Sequence, residues 1–477
     1  MHRIPTCSGG DVSNFDLVVI GSGPGGYVAA IHAAQQGLKT AIVEKDKNLG
    51  GTCLNRGCIP TKALLEAAHL WEKIHQSEKF GIKTSGVELD WTATQKYRNK
   101  TVKQNTGGVA YLMRKNKITV LTGHGRLKGS KAVEVTSADG TAEVINTKHV
   151  IIATGSVCRN FGFIPMDHER VINSDDILKL DVVPKSLLIM GAGAVGTEFA
   201  SIYSTFGTEV TLIELMDRLL PIEDEEISAE LAKAFKKRKI NCLLGHKSTR
   251  VERKGDMVEV DVLGPNGEVK THTAEYFLMA AGRQPVSYDL GIEGTKVEVS
   301  ERQTIVVDKF CQTGEPGVYA IGDVIDTPWL AHVASHEGIL AVDHLLGRDP
   351  HPIDYRQTPS CTYCHPEVAS IGYTERQAKE KGYEVKVGTF PFSANPRARI
   401  MQESEGMIKI VSDAKYDEVL GMHIIGPKAT ELILEGGMAL RMEATTEEIV
   451  HTIHAHPTLG EALGEAAHAV LGQAIHI

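Results

Sequence analysis

The chain has 477 residues, of which 42% are hydrophobic, 23% charged and 5% aromatic, and its formal net charge is −9. This is a globular composition with length for about two to four domains, and the acidic balance gives no electrostatic footprint for nucleic acid. No run of eighteen apolar residues is present, so no membrane span is expected, and eight cysteines in so long a chain do not make a disulfide scaffold.

The opening "MHRIPTCSGGDVSNFD" lacks the apolar core of a signal peptide and is expected to be a frayed extension of a cytoplasmic protein. Residues 15 to 45, "FDLVVIGSGPGGYVAAIHAAQQGLKTAIVEK", then read as strand, Gly-x-Gly-x-x-Gly turn, amphipathic helix and strand ending in an acid. The glycines are Gly21, Gly23 and Gly26, and the acid is Glu44. The same unit recurs at 185 to 215, "KSLLIMGAGAVGTEFASIYSTFGTEVTLIEL", with Gly191, Gly193, Gly196 and Glu214. In each copy the acid lies 23 positions after the first glycine. A lone GxGxxG is weak, but each copy follows a strand, opens a helix and ends on an acidic residue, which is the full dinucleotide fingerprint. The first glycine permits a tight turn, the second lets the backbone approach a pyrophosphate seated on the helix N-terminus, and the acid receives a ribose hydroxyl. Two copies imply two dinucleotides. Glu214 would repel a 2′-phosphate, so the second copy favours NAD over NADP, and the nearest following basic residue is Arg218.

Between the copies lies "GGTCLNRGCIPTK", residues 50 to 62. The four residues between Cys53 and Cys58 match neither a zinc knuckle nor a thioredoxin CxxC, but the sulfurs can meet if the chain turns back. Cys58 precedes a helix with apolar positions 64, 67, 68, 71 and 74, and Pro60 suits its first turn. A thiolate there would gain from the helix N-terminus. "VIIATGS" (150 to 156) is an apolar strand before the second unit, and "GVYAIGD" (317 to 323) is another well after it, ending on Asp323 where a ribityl or phosphate contact would fit. The first nucleotide domain is therefore expected to be interrupted by the second and then to resume. From residue 359 short alternating strands ("VASIGY", "GMIKIVS", "EVLGMHIIG") give way to helices, the order of a separate α+β domain.

These motifs, with "ATGS", "AAGRQP" and the closing "HAHPTLGE", make the chain resemble the pyridine nucleotide-disulfide oxidoreductases from about residue 15 to its end, and within them the branch that oxidises dihydrolipoamide. The resemblance implies an α/β fold of two doubly wound, Rossmann-like dinucleotide domains, one inserted in the other, plus a C-terminal α+β dimerisation domain. The expected boundaries are 1–150 and 283–354 for FAD, 151–282 for NAD and 355–477 for dimerisation. It implies that Cys53 and Cys58 form a redox-active disulfide, with Cys58 the thiolate facing the flavin and Cys53 exchanging with substrate, and that Lys62 serves near the reactive part of the flavin. FAD is expected on Gly21, Gly23, Gly26, Glu44, Lys62, Thr154, Gly155 and Asp323. NAD is expected on Gly191, Gly193, Gly196, Glu198, Glu214 and Gly282. His456, before Pro457, is implied as the base that deprotonates the dithiol, with Glu461 orienting its ring; His454 is the competing histidine. A homodimer is implied, served by lipoyl-carrier domains of 2-oxo acid dehydrogenase complexes or the glycine cleavage system.

Several features stand outside that pattern. "TLGE" also reads as a capping box, with Thr458 as cap and Glu461 closing it. "CTYCHPE" carries Cys361 and Cys364 without a second CxxC, so the pair reads as structural thiols facing opposite sides of a strand. Cys7, Cys158, Cys242 and Cys311 read as isolated packing or surface thiols, and no metal cluster is expected. The His-Pro steps at 365 and 456 are candidates for cis peptides. "EDEEISAE" (223 to 230) reads as a solvated helix start. Alternatives are a glutathione- or mercuric-reductase-like member, or a non-catalytic FAD/NAD-binding redox sensor. The ending "GQAIHI" lacks the cysteine pair of mercuric reductases and large thioredoxin reductases, and a sensor would not need the cysteine pair together with His456 and Glu461.

Overall fold

Strand Asn14–Ile20 carries the first fingerprint into the middle of a parallel sheet, where Leu17, Val18 and Val19 are fully buried. The computed structural model describes residues 14–477; Cys7 and the expected N-terminal extension up to residue 13 lie outside them, while its last residues, Asn14, Phe15 and Asp16, already belong to the first strand. The chain divides into two units. The first comprises the described residues up to Ile59 with Thr101–Val157 and Arg283–Ile353, and the second comprises Pro60–Lys100, Cys158–Gly282 and Asp354–Ile477.

In the first unit Asn14–Ile20 pairs in parallel with Thr40–Glu44 on one side and Ala142–Ile152 on the other, and Thr119–Thr122 extends the sheet beyond Thr40–Glu44. Ala142–Ile152 also pairs antiparallel with Ala132–Thr136, which pairs with His124–Leu127. The chain returns from residue 283 onward and lays Val318–Ala320 alongside Val150–Ile152. That strand runs through residue 150, so the first sheet extends past the boundary expected there. Helix Pro24–Gln35 starts at a proline, which suits a position whose N–H has no helical partner. It buries Ala29, Ala30 and Ala33, and it meets helix Ala331–Leu345 so closely that a Cβ on Gly338 would lie 2.8 Å from the Gly25 carbonyl oxygen.

The second unit holds the repeated fold and the C-terminal domain. Its parallel sheet runs Asn241–Leu244, Glu209–Glu214, Ser186–Met190, Tyr276–Met279, Val171–Asn173. An antiparallel three-strand sheet spans Lys247–Lys254, Met257–Leu263 and Val269–Ala274. The C-terminal sheet orders Ser360–Thr362, Glu367–Gly372, Val419–Gly426, Met407–Asp413 and Val385–Pro391, all antiparallel. Helices Ala429–Arg441 and Glu461–Val470 pack on it, burying Ile433, Leu440, Leu463 and Ala466.

The acidic stretch at 223 to 230 does begin a helix, Glu225–Lys237, but it is not solvated throughout as expected. Glu223 and Asp224 are buried. Asp224 caps the helix by accepting from Glu226 N, and it accepts from the buried Lys409 Nζ at 3.0 Å. Burial pulls the Lys409 ammonium down, yet its bonds to Glu375, Glu226 and Asp224 outweigh that and leave it above the ordinary lysine range. The "TLGE" box is half formed: Glu461 accepts from Thr458 N at 2.8 Å, but the Thr458 hydroxyl donates to Ala455 O, and the helix starts at Glu461 behind Gly460. Both His-Pro peptides, 365–366 and 456–457, are cis.

Candidate active site

The first fingerprint turn is shaped by what a side chain would strike. A Cβ on Gly21 would lie 2.3 Å from the Ala153 carbonyl oxygen, and one on Gly26 2.0 Å from that of Gly21. Nothing comes within 4 Å of the same position on Gly23, at the head of helix Pro24–Gln35. The result is open space at a helix N-terminus, a position that suits an anionic group. Glu44 is buried, its Oε2 accepting from Ser22 N at 2.9 Å and Ser22 Oγ at 2.5 Å, and its Oε1 from Asp46 N at 2.8 Å.

The two glycines before Cys53 exist because the next helix rests on this turn. Gly50 N donates to Ser22 O at 3.0 Å, and Gly51, at φ +56°, would place a Cβ 2.6 Å from Gly23 Cα. Helix Gly51–Arg56 carries Cys53. Gly57, at φ −135° and ψ −112°, interrupts the helix, with its ideal Cβ 3.0 Å from Thr52 O and 3.3 Å from Cys53 Cα. Cys58 follows at once as the first residue of helix Cys58–His75. Cys53 packs against the first core, and burial, with Cys53 nearby, pushes the Tyr27 hydroxyl up. Thr154 Oγ1 donates to Val286 O at 2.7 Å, and Gly155 O accepts from Val286 N at 2.9 Å. Asp323 accepts from Ser156 Oγ at 2.5 Å, while Arg283 donates through Nε to Ser156 Oγ and lies 4.0 Å from Asp323.

The second fingerprint repeats the geometry. A Cβ on Gly191 would lie 2.8 Å from Ala280 O, one on Gly196 1.9 Å from Gly191 O, and Gly193 again has open space. Glu214 accepts from Ala192 N at 2.7 Å and Met216 N at 2.8 Å. Here Ala192 stands where Ser22 stands in the first copy, so Glu214 lacks the extra hydroxyl donor and keeps more acceptor capacity. Gly282, at φ +100°, accepts from Arg159 N. Glu198, on helix Ala194–Thr205, is buried and joined to Lys62 Nζ at 2.8 Å through both oxygens. Tyr363 holds the pair from a distant segment: its N–H donates to Glu198 Oε1 at 2.9 Å, and its ring lies 4.6 Å from Lys62 Nζ.

At the C-terminal end, His456 Nδ1 is 2.8 Å from Glu461 Oε1, and the imidazole is 69% exposed. Glu461 Oε2 is taken by Thr458 N, whose carbonyl accepts from Asn395 Nδ2. Burial works against the Glu461 carboxylate, but the Thr458 and His456 bonds hold its pKa below the usual range. An ionised Glu461 on Nδ1 selects the tautomer with Nε2 free to accept a proton. His454 is differently placed, with its Nε2 2.8 Å from Glu435 Oε1, a bond that raises its pKa.

The pyridine nucleotide-disulphide oxidoreductase family matches residues 15–338, and the dimerisation domain of the same family matches 358–467. The chain belongs to that family. Among curated relatives it is 45% identical to dihydrolipoyl dehydrogenase of Bacillus subtilis, over 97% of this chain and 99% of that protein. It is 42% identical to the mitochondrial dihydrolipoyl dehydrogenase 1 of Arabidopsis thaliana, over 97% and 91%. Among solved structures it resembles LpdA of Mycobacterium tuberculosis at a TM-score of 0.88 and 25% identity, covering 96% of this chain and 99% of that one. The HOCl-induced flavoprotein disulfide reductase RclA of Escherichia coli follows at 0.86 and 26%, over 95% and 99%.

As a pyridine nucleotide-disulphide oxidoreductase, the chain is a flavoprotein enzyme that uses FAD and NAD and carries a dimerisation domain. Four residues around the expected site positions were not singled out from sequence: Ser22 on Glu44, Arg283 and Ser156 on Asp323, and Tyr363 on Lys62 and Glu198. Ser22 lies inside the fingerprint, and Arg283 and Tyr363 lie inside "AAGRQP" and "CTYCHPE", so the motifs were visible and the pairings were not. The CxxC of this oxidoreductase serves two cores. Cys361 packs against the C-terminal core, and Cys364 is buried in the core beneath helix Ala194–Thr205. Burial pushes the Cys361 thiol up to about 11 and Cys364 well up, which suits inert thiols. Burial likewise raises Cys242 to about 11 and raises Cys311, while Cys158 packs partly buried beside Ser174. Among the described residues no group of three potential ligands could hold a metal, and no helix is long and apolar enough to cross a membrane.

Proposed function

We propose that this chain is a dihydrolipoamide dehydrogenase, working in the cytoplasm as a homodimer on lipoyl-carrier domains of 2-oxo acid dehydrogenase complexes or the glycine cleavage system. The observation that carries the reading is the pairing of two devices in one full-length relative of dihydrolipoyl dehydrogenases. One is a Cys53–Cys58 segment seated on a dinucleotide turn, and the other is a His456–Glu461 pair with Nε2 exposed. His456 Nε2 takes the proton of one substrate thiol, and Glu461 stabilises the imidazolium that results. The substrate thiolate attacks Cys53 Sγ, breaking the Cys53–Cys58 bond and releasing Cys58 as thiolate at a helix N-terminus. The second substrate thiol then displaces Cys53 and closes the lipoamide disulfide, so the dithiol is oxidised as the protein disulfide is reduced. The open cradle at Gly23 and the Glu44 carboxylate fit FAD, which when bound supplies two-electron transfer between thiols and the nicotinamide. Gly191, Gly193, Gly196, Glu214 and Gly282 would hold NAD, Glu198 would fix Lys62, and Thr154, Gly155 and Asp323 would line the FAD site.

A glutathione-reductase-like role would need a cation for the 2′-phosphate of NADP, where this site offers Glu214; a mercuric-reductase-like role and a redox sensor leave the His456–Glu461 pair or the cysteine pair without purpose. The test is a steady-state assay of the yellow, purified protein with dihydrolipoamide and NAD, set against NADP, glutathione and mercuric ion. Turnover with the first pair and a strong preference for NAD are expected. Equal turnover with glutathione and NADP would refute the reading.

A further inference from the structure

The loop after Glu214 begins and ends on the ribose-binding turn. Met216 N donates to Glu214 Oε1, and Leu220 N donates to Ala192 O at 2.9 Å. Arg218 stands midway between those anchors, four positions after Glu214. Its guanidinium is already spoken for. Nε lies 2.8 Å and NH2 3.3 Å from the two Asp217 oxygens, and NH1 lies 2.6 Å from Glu225 Oε1. Glu225 is also 3.4 Å from Arg376, and its neighbour Asp224 is the buried cap held by Lys409. The acids at 224 and 225 thus have separate tasks: one fixes the helix start, and the other closes an ion triad around Arg218.

We propose that Asp217 and Glu225 are specificity-determining residues for the nucleotide. By occupying the guanidinium fork of Arg218 they withhold from the second fingerprint a nearby cation that could compensate a 2′-phosphate, so the site takes adenine dinucleotides without that group. Glu214 supplies the repulsion, and the triad removes the remedy. This rests on the reading of the second fingerprint as an NAD site.

The test measures binding of 5′-AMP and 2′,5′-ADP to the flavin-loaded enzyme by calorimetry. Its variants are Glu214→Ala, the triple variant Glu214→Ala/Asp217→Asn/Glu225→Gln, and the triple variant with Arg218→Ala. The two amide replacements are isosteric at side chains 72% and 56% exposed and leave Asp224 intact, so folding is preserved. The triple variant should bind 2′,5′-ADP about 10- to 100-fold more tightly than Glu214→Ala alone, the span of a regained charge-assisted pair, with 5′-AMP changed little. Adding Arg218→Ala should erase the gain. A triple variant no better than Glu214→Ala while 5′-AMP still binds, or a gain that survives Arg218→Ala, overturns the proposal. Wild-type enzyme that binds no 5′-AMP overturns the NAD reading itself, and the proposal with it.

Discussion

Replacing Gly51 with alanine tests whether the redox segment is built on the phosphate turn. The new Cβ would sit 2.6 Å from Gly23 Cα and 3.0 Å from Gly23 N, and both are backbone atoms that no rotamer change can move. Overpacking of this kind costs about 1–3 kcal/mol, and a Cβ at φ +56° adds about 1–2 kcal/mol. The expected loss is therefore about 2–5 kcal/mol. Gly37→Ala is the control: Gly37 is also left-handed, at φ +88°, but has nothing within 4 Å, so it should lose only the backbone part, about 1–2 kcal/mol. Urea titrations followed by flavin fluorescence give both numbers, and flavin content after gel filtration reports the cradle directly. Gly51→Ala should release flavin at lower urea than Gly37→Ala, and its dithiol turnover should fall by more than tenfold as helix Gly51–Arg56 is pushed away. Equal midpoints and full flavin content in the two variants would refute the idea that Gly51 docks on Gly23.

His456→Gln should slow reduction by dihydrolipoamide by about 10²-fold or more, with partial recovery at high pH, while NADH oxidation by an artificial acceptor continues; a larger loss in His454→Gln would reassign the base. His423 is 1% exposed, and burial holds its pKa below the ordinary 6.5, so the folded protein stays neutral there while the unfolded chain takes up a proton as pH falls below 6.5. Stability should therefore fall on acidification through that range, with a contribution of up to about 1.4 kcal/mol per pH unit. His423→Leu should flatten that part of a urea-midpoint-against-pH curve; an unchanged slope would exclude His423 as its source.

The features legible in the sequence were local. Each fingerprint places its glycines, helix and acid within one supersecondary unit, and the Glu44 and Glu214 hydrogen bonds to their own turns reflect that spacing. The helix start at Cys58 was legible for the same reason, since Pro60 and the apolar spacing after it are local. Long-range partners were not. Asp224 looks solvated because its lysine, Lys409, is 185 positions away, and only the folded chain buries the pair. Tyr363 is 165 positions from Glu198, and nothing in "CTYCHPE" says which helix it will meet. The half-formed "TLGE" box shows a different limit. The pattern was right about the Glu461 arm, but the Thr458 hydroxyl had a nearer acceptor in Ala455 O.

The duplicated unit also runs further than its motif. Gly50 N binds Ser22 O at 3.0 Å, and at the equivalent place in the second copy Leu220 N binds Ala192 O at 2.9 Å, both residues in the left-handed region. Past that joint the copies part: one enters the cysteine helix at once, and the other runs on to the Asp224 cap. The repeat is thus its own internal control, because features found in both copies belong to the shared turn and those found in one belong to that copy alone. It also marks a point of evolvability. A lineage carrying this repeat could exchange the segment beyond the joint, a redox helix in one copy and an ion lock in the other, without rebuilding the phosphate turn that precedes it.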